Sequence, residues 1–512
     1  MINGLPIRTM SEVWRNAVGK WPEKTAAVWE DAAYSYSRID ELADHLASNL
    51  AGRFGVKKGD RVAILAPNCL EFYVTYWAVM RAGAVLVPVN VRLRPEVVAF
   101  VIDNSDPACV ICHRDQAQLL EESFETVTRP PRVATIGFSR PDATDFAELL
   151  TPAPEPPSQV QVTEQDLAAI VYTSGTTGRP KGALIKHGNL IYNIHNTIIS
   201  HSFRHEDVHM LVVPLFHCTG LNSIITTSAY LGGTVVIAAR PNVAELVSLI
   251  ERRRITTFLG VPTLFYFVCA MKDLARHDTG SLRVIGYSGS PMPAATIRKL
   301  RERFPAALLH NFFGLTETVS ITNVLPSPDA LTRADSVGPA LPDIGMKVID
   351  EAGRDLPPEH VGELCFHRAN VIDGYWRRPE LLAESMMGDW FRTGDYAYID
   401  RDGYVYLKGR KKDMIIVAGE NVYATEVEAV LLQHEKVLEA AVVGIEATGA
   451  RAYMGELIKA VVVPQPGGPP SEPELRRFCA ERLASYQVPQ IIEFRQELPR
   501  NPSGKVIKGD LK

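Results

Sequence analysis

Apolar positions follow two different periods along the first two thirds of the chain. Ile39, Leu42, Ala43, Leu46 and Leu50 share one face of a helix, the 3.6-residue spacing of a segment packed on one side. Ser37 is placed to cap this helix and Gly52 to end it. After the Gly59-Asp60 turn, Arg61–Ala66 is a short apolar run of the kind that forms a buried strand. A second helical pattern runs from about Glu71 to Arg81 and stops at Gly83, and a strand pattern restarts over Ala84–Pro88. Strand–helix–strand order calls for a largely parallel sheet covered on both faces. The alternation returns as Thr234–Ala239, a helix over Val243–Arg253, the run Thr256–Pro262, a further helix and Leu282–Ser290. No fixed-length repeat is present, which argues against a solenoid.

Val208–Ala239 holds no acidic, lysine or arginine residue and is the one stretch to weigh as a membrane span. Pro214, Gly220, Asn222 and the Gly232-Gly233 pair interrupt it. It reads as a loop, a buried helix and a buried strand, with no transmembrane segment. Met1–Trp14 lacks the basic-then-apolar order of a signal peptide, so a cytoplasmic protein is expected. Residues 151–162 form a Pro-rich connector. Beyond about residue 336 short strands and turns dominate, among them Asp350–Gly353, Asp402-Gly403 and the run Tyr404–Lys408, which leads into the basic cluster Gly409–Lys412. The last hundred residues alternate strand and helix patterns around the loop Gln465–Pro470. The expected fold is α/β. Residues 1–411 form a large N-terminal domain of mostly parallel covered sheets plus a β-rich subdomain, and residues 412–512 form a small mobile α+β domain.

At 512 residues the chain exceeds one ordinary core. With 46% apolar and 22% charged residues it has the composition of a globular protein. Lys plus Arg number 54 against 59 for Asp plus Glu, a net charge of −5, which lacks the basic excess of a nucleic-acid binder. Seven scattered cysteines suit reduced thiols. Cys109-Val-Ile-Cys-His113 has the form of a haem-attachment motif, but Ala108–Cys112 follows an Asp-Pro turn and is read as a buried strand.

The densest chemistry lies in Tyr172-Thr-Ser-Gly-Thr-Thr-Gly-Arg-Pro-Lys-Gly182, which follows the apolar run Leu167–Val171. Gly175, Gly178 and Gly182 let the backbone bend and present N–H groups to an anion. Thr173, Ser174, Thr176 and Thr177 add hydroxyl donors, and Arg179 and Lys181 add charge. This is the equipment for a polyphosphate, although the spacing is not that of a Walker loop. Glu317 follows a Gly-Leu-Thr turn, and a carboxylate near a phosphate loop is a natural Mg²⁺ ligand. Asp395 follows Thr-Gly after a strand-like run, where a carboxylate can accept from both ribose hydroxyls.

The phosphate-type segment resembles the signature of the adenylate-forming superfamily: acyl- and aryl-CoA synthetases, peptide-synthetase adenylation domains and firefly-type luciferases. Five further matches follow in the family's order: Phe312–Glu317, Trp390–Asp395, Leu407–Ile415, Gly419–Tyr423 and Leu498–Lys505. The resemblance covers the chain from about residue 10 to its end and implies the following roles. The ATP site takes Thr173, Ser174, Gly175, Thr176, Thr177, Gly178, Lys181, Ser288, Gly289, Ser290, Asn311, Phe312, Phe313, Gly314, Asp395 and Arg410. Thr316 contacts phosphate, Glu317 holds Mg²⁺, and Lys505 bridges the acid and the α-phosphate. Phe216, Val261 and Tyr287 line the acyl pocket, with His217 gating or orienting beside them. Lys412 is the hinge, and Gly419, Glu420 and Asn421 face coenzyme A. Three positions depart from the common pattern: Ser288, Phe313 where Tyr is frequent, and Ala418 where Gly is frequent.

The resemblance therefore implies an ATP-dependent carboxylic acid–CoA ligase, using ATP, Mg²⁺ and coenzyme A through an acyl-adenylate. The expected pocket wall of Phe216, His217, Val261, Tyr287, Ser288 and Gly289 carries few charges. That disfavours amino acids and leaves fatty and aromatic acids open. Delivery to a carrier protein or another acceptor, and a non-catalytic nucleotide sensor, are the alternative functions. A homo-oligomer is compatible with the sequence.

Overall fold

The computed structural model describes residues 7–153, 160–173, 179–239, 242–465, 467–500 and 506–512. A seven-stranded sheet runs Thr144–Asp145, Arg132–Ile136, Cys109–His113, Arg61–Leu65, Val85–Pro88, Leu167–Thr173, Lys181–Lys186 in spatial order. Its strands are parallel except for the last pair, a hairpin. The strand Cys109–His113 lies inside this sheet with both cysteines buried, as its apolar pattern predicts.

A second sheet has eight strands in the order Ile321–Leu325, Leu308–Gly314, Val284–Tyr287, Thr257–Gly260, Val208–Leu211, Thr234–Ile237, Thr25–Trp29, Ala32–Ser35. Only its two edge strands pair antiparallel. Helix Leu70–Arg81 belongs to the core cluster that draws on both sheets. Its Trp77 stacks on Trp14 at a centroid distance of 4.4 Å, with Tyr73 and Tyr76 edge-on to Trp77. A third, antiparallel sheet of five strands occupies 346–410. Among the described residues no helix is long and apolar enough to cross a membrane.

Three core clusters draw on buried side chains up to Val405, and two others draw only on side chains from Ile415 onward. The later cores pack helices Ala424–Leu431 and Glu472–Ala480 beside the three-stranded sheet Val437–Glu446, Glu456–Pro464, Ile491–Phe494.

Two local expectations differ from what is observed. The first long helix spans Tyr36–Phe54 and is capped by Ser35, whose Oγ accepts from Arg38 N at 3.1 Å; Ser37 lies inside it. Burial of Tyr36, whose hydroxyl donates to Gly233 O at 2.7 Å, draws the start back. The helix passes Gly52 to bury Phe54 and ends at left-handed Gly55. In addition, Val208–Leu211 is a central strand where only a loop was expected.

Candidate functional site

Parallel strands align their carboxyl ends, and in open α/β sheets ligands bind along that edge. Strands Val208–Leu211, Thr257–Gly260, Val284–Tyr287 and Leu308–Gly314 are parallel neighbours. Phe216 and His217, Val261, Ser288–Ser290, and Thr316–Glu317 come directly after these four strands in turn, and Asn311–Gly314 end the fourth. Phe216 is buried with its ring 4.9 Å from that of His217. Asn68 braces this loop, accepting from Leu215 N at 2.8 Å and donating to Val213 O at 3.1 Å. Val261 is 50% exposed. Tyr287 has no exposed surface and packs into the core cluster that contains Ile285, so its backbone is what it offers the edge. Ser288 N donates to Gly260 O at 3.2 Å, and Gly289 has a φ of 91°. Asn311 Nδ2 donates to Ser336 O at 2.8 Å, Phe312 is buried edge-on to His201, and Phe313 is half-buried.

The hairpin of the seven-stranded sheet sets Thr173 opposite Lys181. Ser174, Gly175, Thr176, Thr177 and Gly178 lie outside the described residues. The Lys181 ammonium sits 5.4 Å from the ring centre of Tyr375, and the Tyr375 hydroxyl donates to Glu317 Oε1 at 2.7 Å. Backbone bonds fix this chain: Trp376 N to Gly182 O at 2.7 Å, and Ile372 N to Glu317 O at 2.8 Å. Burial first, and the Glu317 charge second, push the Tyr375 phenol well above its ordinary pKa, so it stays a donor. Sequence reading missed Tyr375, because an aromatic in a Gly-Tyr-Trp stretch carries no spacing signal. A cavity of about 100 Å³ opens beside the hairpin, lined in part by Arg179, Lys181, Trp376 and Arg378.

Among the described residues no group of three or more His, Cys, Asp or Glu stands ready to hold a metal. Glu317 is a single carboxylate with one oxygen engaged by Tyr375. That fits Mg²⁺, which is usually held by one or two carboxylates together with substrate phosphates. Thr316 is half-buried on the same turn, and its carbonyl accepts from Val319 N at 3.0 Å.

Asp395 and Arg410 are register partners on adjacent strands of the third sheet. Arg410 Nε lies 2.6 Å from Asp395 Oδ1, and Asp395 is buried. Ser336 Oγ donates to Val405 O at 2.8 Å on the Arg410 strand, while its carbonyl receives Asn311. The Asp395–Arg410 pair is thereby tied to the edge of the eight-stranded sheet.

Lys412 is exposed in the 3₁₀ turn Lys411–Asp413, directly after the Arg410 strand. Gly419, Glu420 and Asn421 are exposed at the tip of hairpin Met414–Tyr423. Lys505 lies outside the described residues. Its flanks are anchored: Arg500 bridges to Val506, Ile507 N donates to Pro499 O at 2.8 Å, and Lys508 pairs with the half-buried Glu428 at 2.8 Å. Burial raises the Glu428 pKa against the pull of Lys508.

Residues 14–376 match the family described as AMP-binding enzyme, and 426–505 match the AMP-binding enzyme C-terminal domain. The chain is 34% identical over 504 residues to a feruloyl-CoA synthase of Amycolatopsis sp, covering 97% of this chain and 98% of that protein. It is 33% identical over 481 residues to a long-chain-fatty-acid–CoA ligase of Mycobacterium tuberculosis, covering 93% and 92%. Among solved structures it is similar to the anthranilate CoA ligase AuaEII in complex with anthranoyl-AMP. The TM-score is 0.90 at 25% identity, with 99% of this chain and 97% of that chain covered.

Proposed function

The chain belongs to the AMP-binding enzyme family as an AMP-forming acid–CoA ligase, and from that premise we propose that it converts a fatty or aromatic carboxylic acid to its coenzyme A thioester in two steps at the strand edge described above. In the first step a carboxylate oxygen attacks the α-phosphorus of ATP, the bond to the β-phosphate oxygen breaks, and pyrophosphate leaves. In the second step the CoA sulfur attacks the acyl carbon, the bond to AMP breaks, and the thiol proton is lost. Little covalent chemistry falls to the protein, whose work is alignment and charge balance.

The reading is carried by the chain from Lys181 through Tyr375 to Glu317, which places a cation, a donor and a carboxylate between two sheets. Thr173 and Lys181 hold the ends of the phosphate hairpin, and Thr316 adds a hydroxyl to the turn opposite. Glu317 is the residue for Mg²⁺, which when bound supplies charge neutralisation on the phosphates. Asp395, set by Arg410, takes the ribose hydroxyls. Asn311 to Gly314 and Ser288 to Ser290 flank the adenine. Phe216, His217 and Val261 border the acid. Residues 412–512 form the lid, turning at Lys412. It brings Lys505 to the carboxylate in the first step and Gly419, Glu420 and Asn421 to the CoA channel in the second. The relatives include aryl and long-chain acyl ligases, which supports both acid classes.

The test is a panel of hydroxycinnamic, benzoic and C8–C18 fatty acids incubated with Mg²⁺-ATP, with AMP and thioester measured with and without CoA. AMP and thioester rising together only with CoA present is the expected result. Accumulation of an acyl-adenylate that CoA does not discharge would overturn the CoA step in favour of another acceptor.

A further inference from the structure

Val319 is the one β-branched side chain among the described residues whose backbone is left-handed, with a φ of 68°. That conformation crowds a branched Cβ, and it persists only where surrounding contacts impose it. It closes the turn that carries Thr316 and Glu317, donating its N–H to Thr316 O at 3.0 Å. The other end of the turn is equally tight: a Cβ on Gly314 would meet Ser320 O at 1.6 Å.

What imposes the conformation comes from the acid side of the edge. A π-helix, Thr219–Ile224, begins two residues after His217, and such irregular turns cluster at functional sites. From it, Asn222 Nδ2 donates to Val319 O at 2.8 Å, and Ser223 Oγ donates to Ser320 Oγ at 2.9 Å. Asn193, on helix His187–His201, ties the two together by donating to Asn222 O at 2.6 Å and accepting from Ile321 N at 3.4 Å. All of these side chains are buried. Among the described residues Asn222 Oδ1 has no hydrogen-bond partner, and a buried unpaired acceptor is costly. An apolar residue of the same shape would remove that orphan and leave the Val319 carbonyl unpaired in its place, so what the amide adds is its hold on the Val319 peptide.

We propose that Asn222 is a positioning residue: its amide holds the Val319 peptide left-handed, aims the Thr316–Glu317 turn at the phosphate hairpin, and couples that turn to the loop of Phe216 and His217. The inference rests on the ligase reading and adds to it a contact outside the motifs. Its partner is Val319, since glycine adopts that backbone without strain and removes the need for a clamp.

The experiment compares wild type, Asn222→Leu, Val319→Gly and the double variant. Four quantities are read: acid-dependent ATP–pyrophosphate exchange, thioester formation from supplied acyl-adenylate and CoA, the Kd of Mg²⁺-ATP by calorimetry, and the thermal midpoint. Asn222→Leu is expected to slow exchange by about tenfold, the scale of a misaligned group, and to weaken Mg²⁺-ATP. Its thioester formation stays at the wild-type value, while its midpoint falls because the buried Val319 O loses its donor. Adding Val319→Gly is expected to restore both exchange and Mg²⁺-ATP binding. Wild-type exchange in Asn222→Leu, equal loss of both half-reactions, or no rescue by glycine overturns the inference while leaving the ligase reading intact. No exchange by the wild type with any acid overturns the ligase reading and the inference with it. Should Asn222→Leu not fold, Asn222→Ser, which removes the amide without adding apolar bulk, is judged by the same criteria.

Discussion

Tyr375 donates to Glu317 Oε1 and lies against the Lys181 ammonium, so deleting its hydroxyl strips one hydrogen bond from a carboxylate and leaves the ring in place. Hydrogen bonds to charged groups contribute about 1.5–3 kcal/mol. On the proposed role of Glu317, Tyr375→Phe should therefore raise the KM for Mg²⁺-ATP by about tenfold or more. Saturation curves in the exchange assay measure this, and an unchanged KM means that Tyr375 does not orient Glu317. At this scale the sequence was legible where a motif surrounds the residue. Glu317 and Asp395 stand out through their neighbours, whereas Tyr375, Asn222 and Val319 act through contacts between segments far apart in the chain. No local pattern announces such a contact.

Hairpin Met414–Tyr423 turns through Ala418 and Gly419 alone, since Val417 pairs with Glu420. Both turn residues have positive φ, 51° and 87°, the type I′ geometry that prefers Asn-Gly. An alanine in that region is strained, and Ala418→Asn should stabilise the hairpin by about 0.5–1 kcal/mol. Slower amide exchange across Ile415–Val422 and a higher melting point of the last hundred residues are the expected readouts. Faster exchange would contradict the turn assignment. Elements with long periodic patterns were legible from sequence: a helix near Val243–Arg253 is expected, and the structure places it there and adds Asn242 as its cap. The start of helix Tyr36–Phe54 was misread because Ser35 and Ser37 are both capping residues, and burial of Tyr36 chooses between them. Strand Val208–Leu211 was hidden by its length of four residues and by a histidine that tertiary packing buries.

Across the whole molecule, buried imidazoles link stability to pH. Burial lowers His187, His209 and His310 from 6.5 to about 4. The unfolded chain therefore takes up protons between about pH 6.5 and 4 that the native chain refuses, and stability falls as pH drops through that window. Each group contributes up to about 1.4 kcal/mol per pH unit there. Urea midpoints should decline steeply from pH 6.5 to 4.5 and level off above 7; a flat profile would mean that these histidines are charged or exposed when folded. The alternation of strand and helix patterns made the covered, mostly parallel sheets readable in advance. How the three earlier sheets meet was not, because it depends on side chains such as Trp14, Tyr36 and Trp77 whose partners lie in other elements.

The stacked Trp14–Trp77 pair has an optical consequence. All six tryptophans lie at or before position 390, so indole emission follows the large cores and is blind to residues 412–512. A backbone signal such as far-ultraviolet dichroism sees both parts. Any gap between the two melting curves would thus time the loosening of the last hundred residues against the rest, with no label attached to the protein.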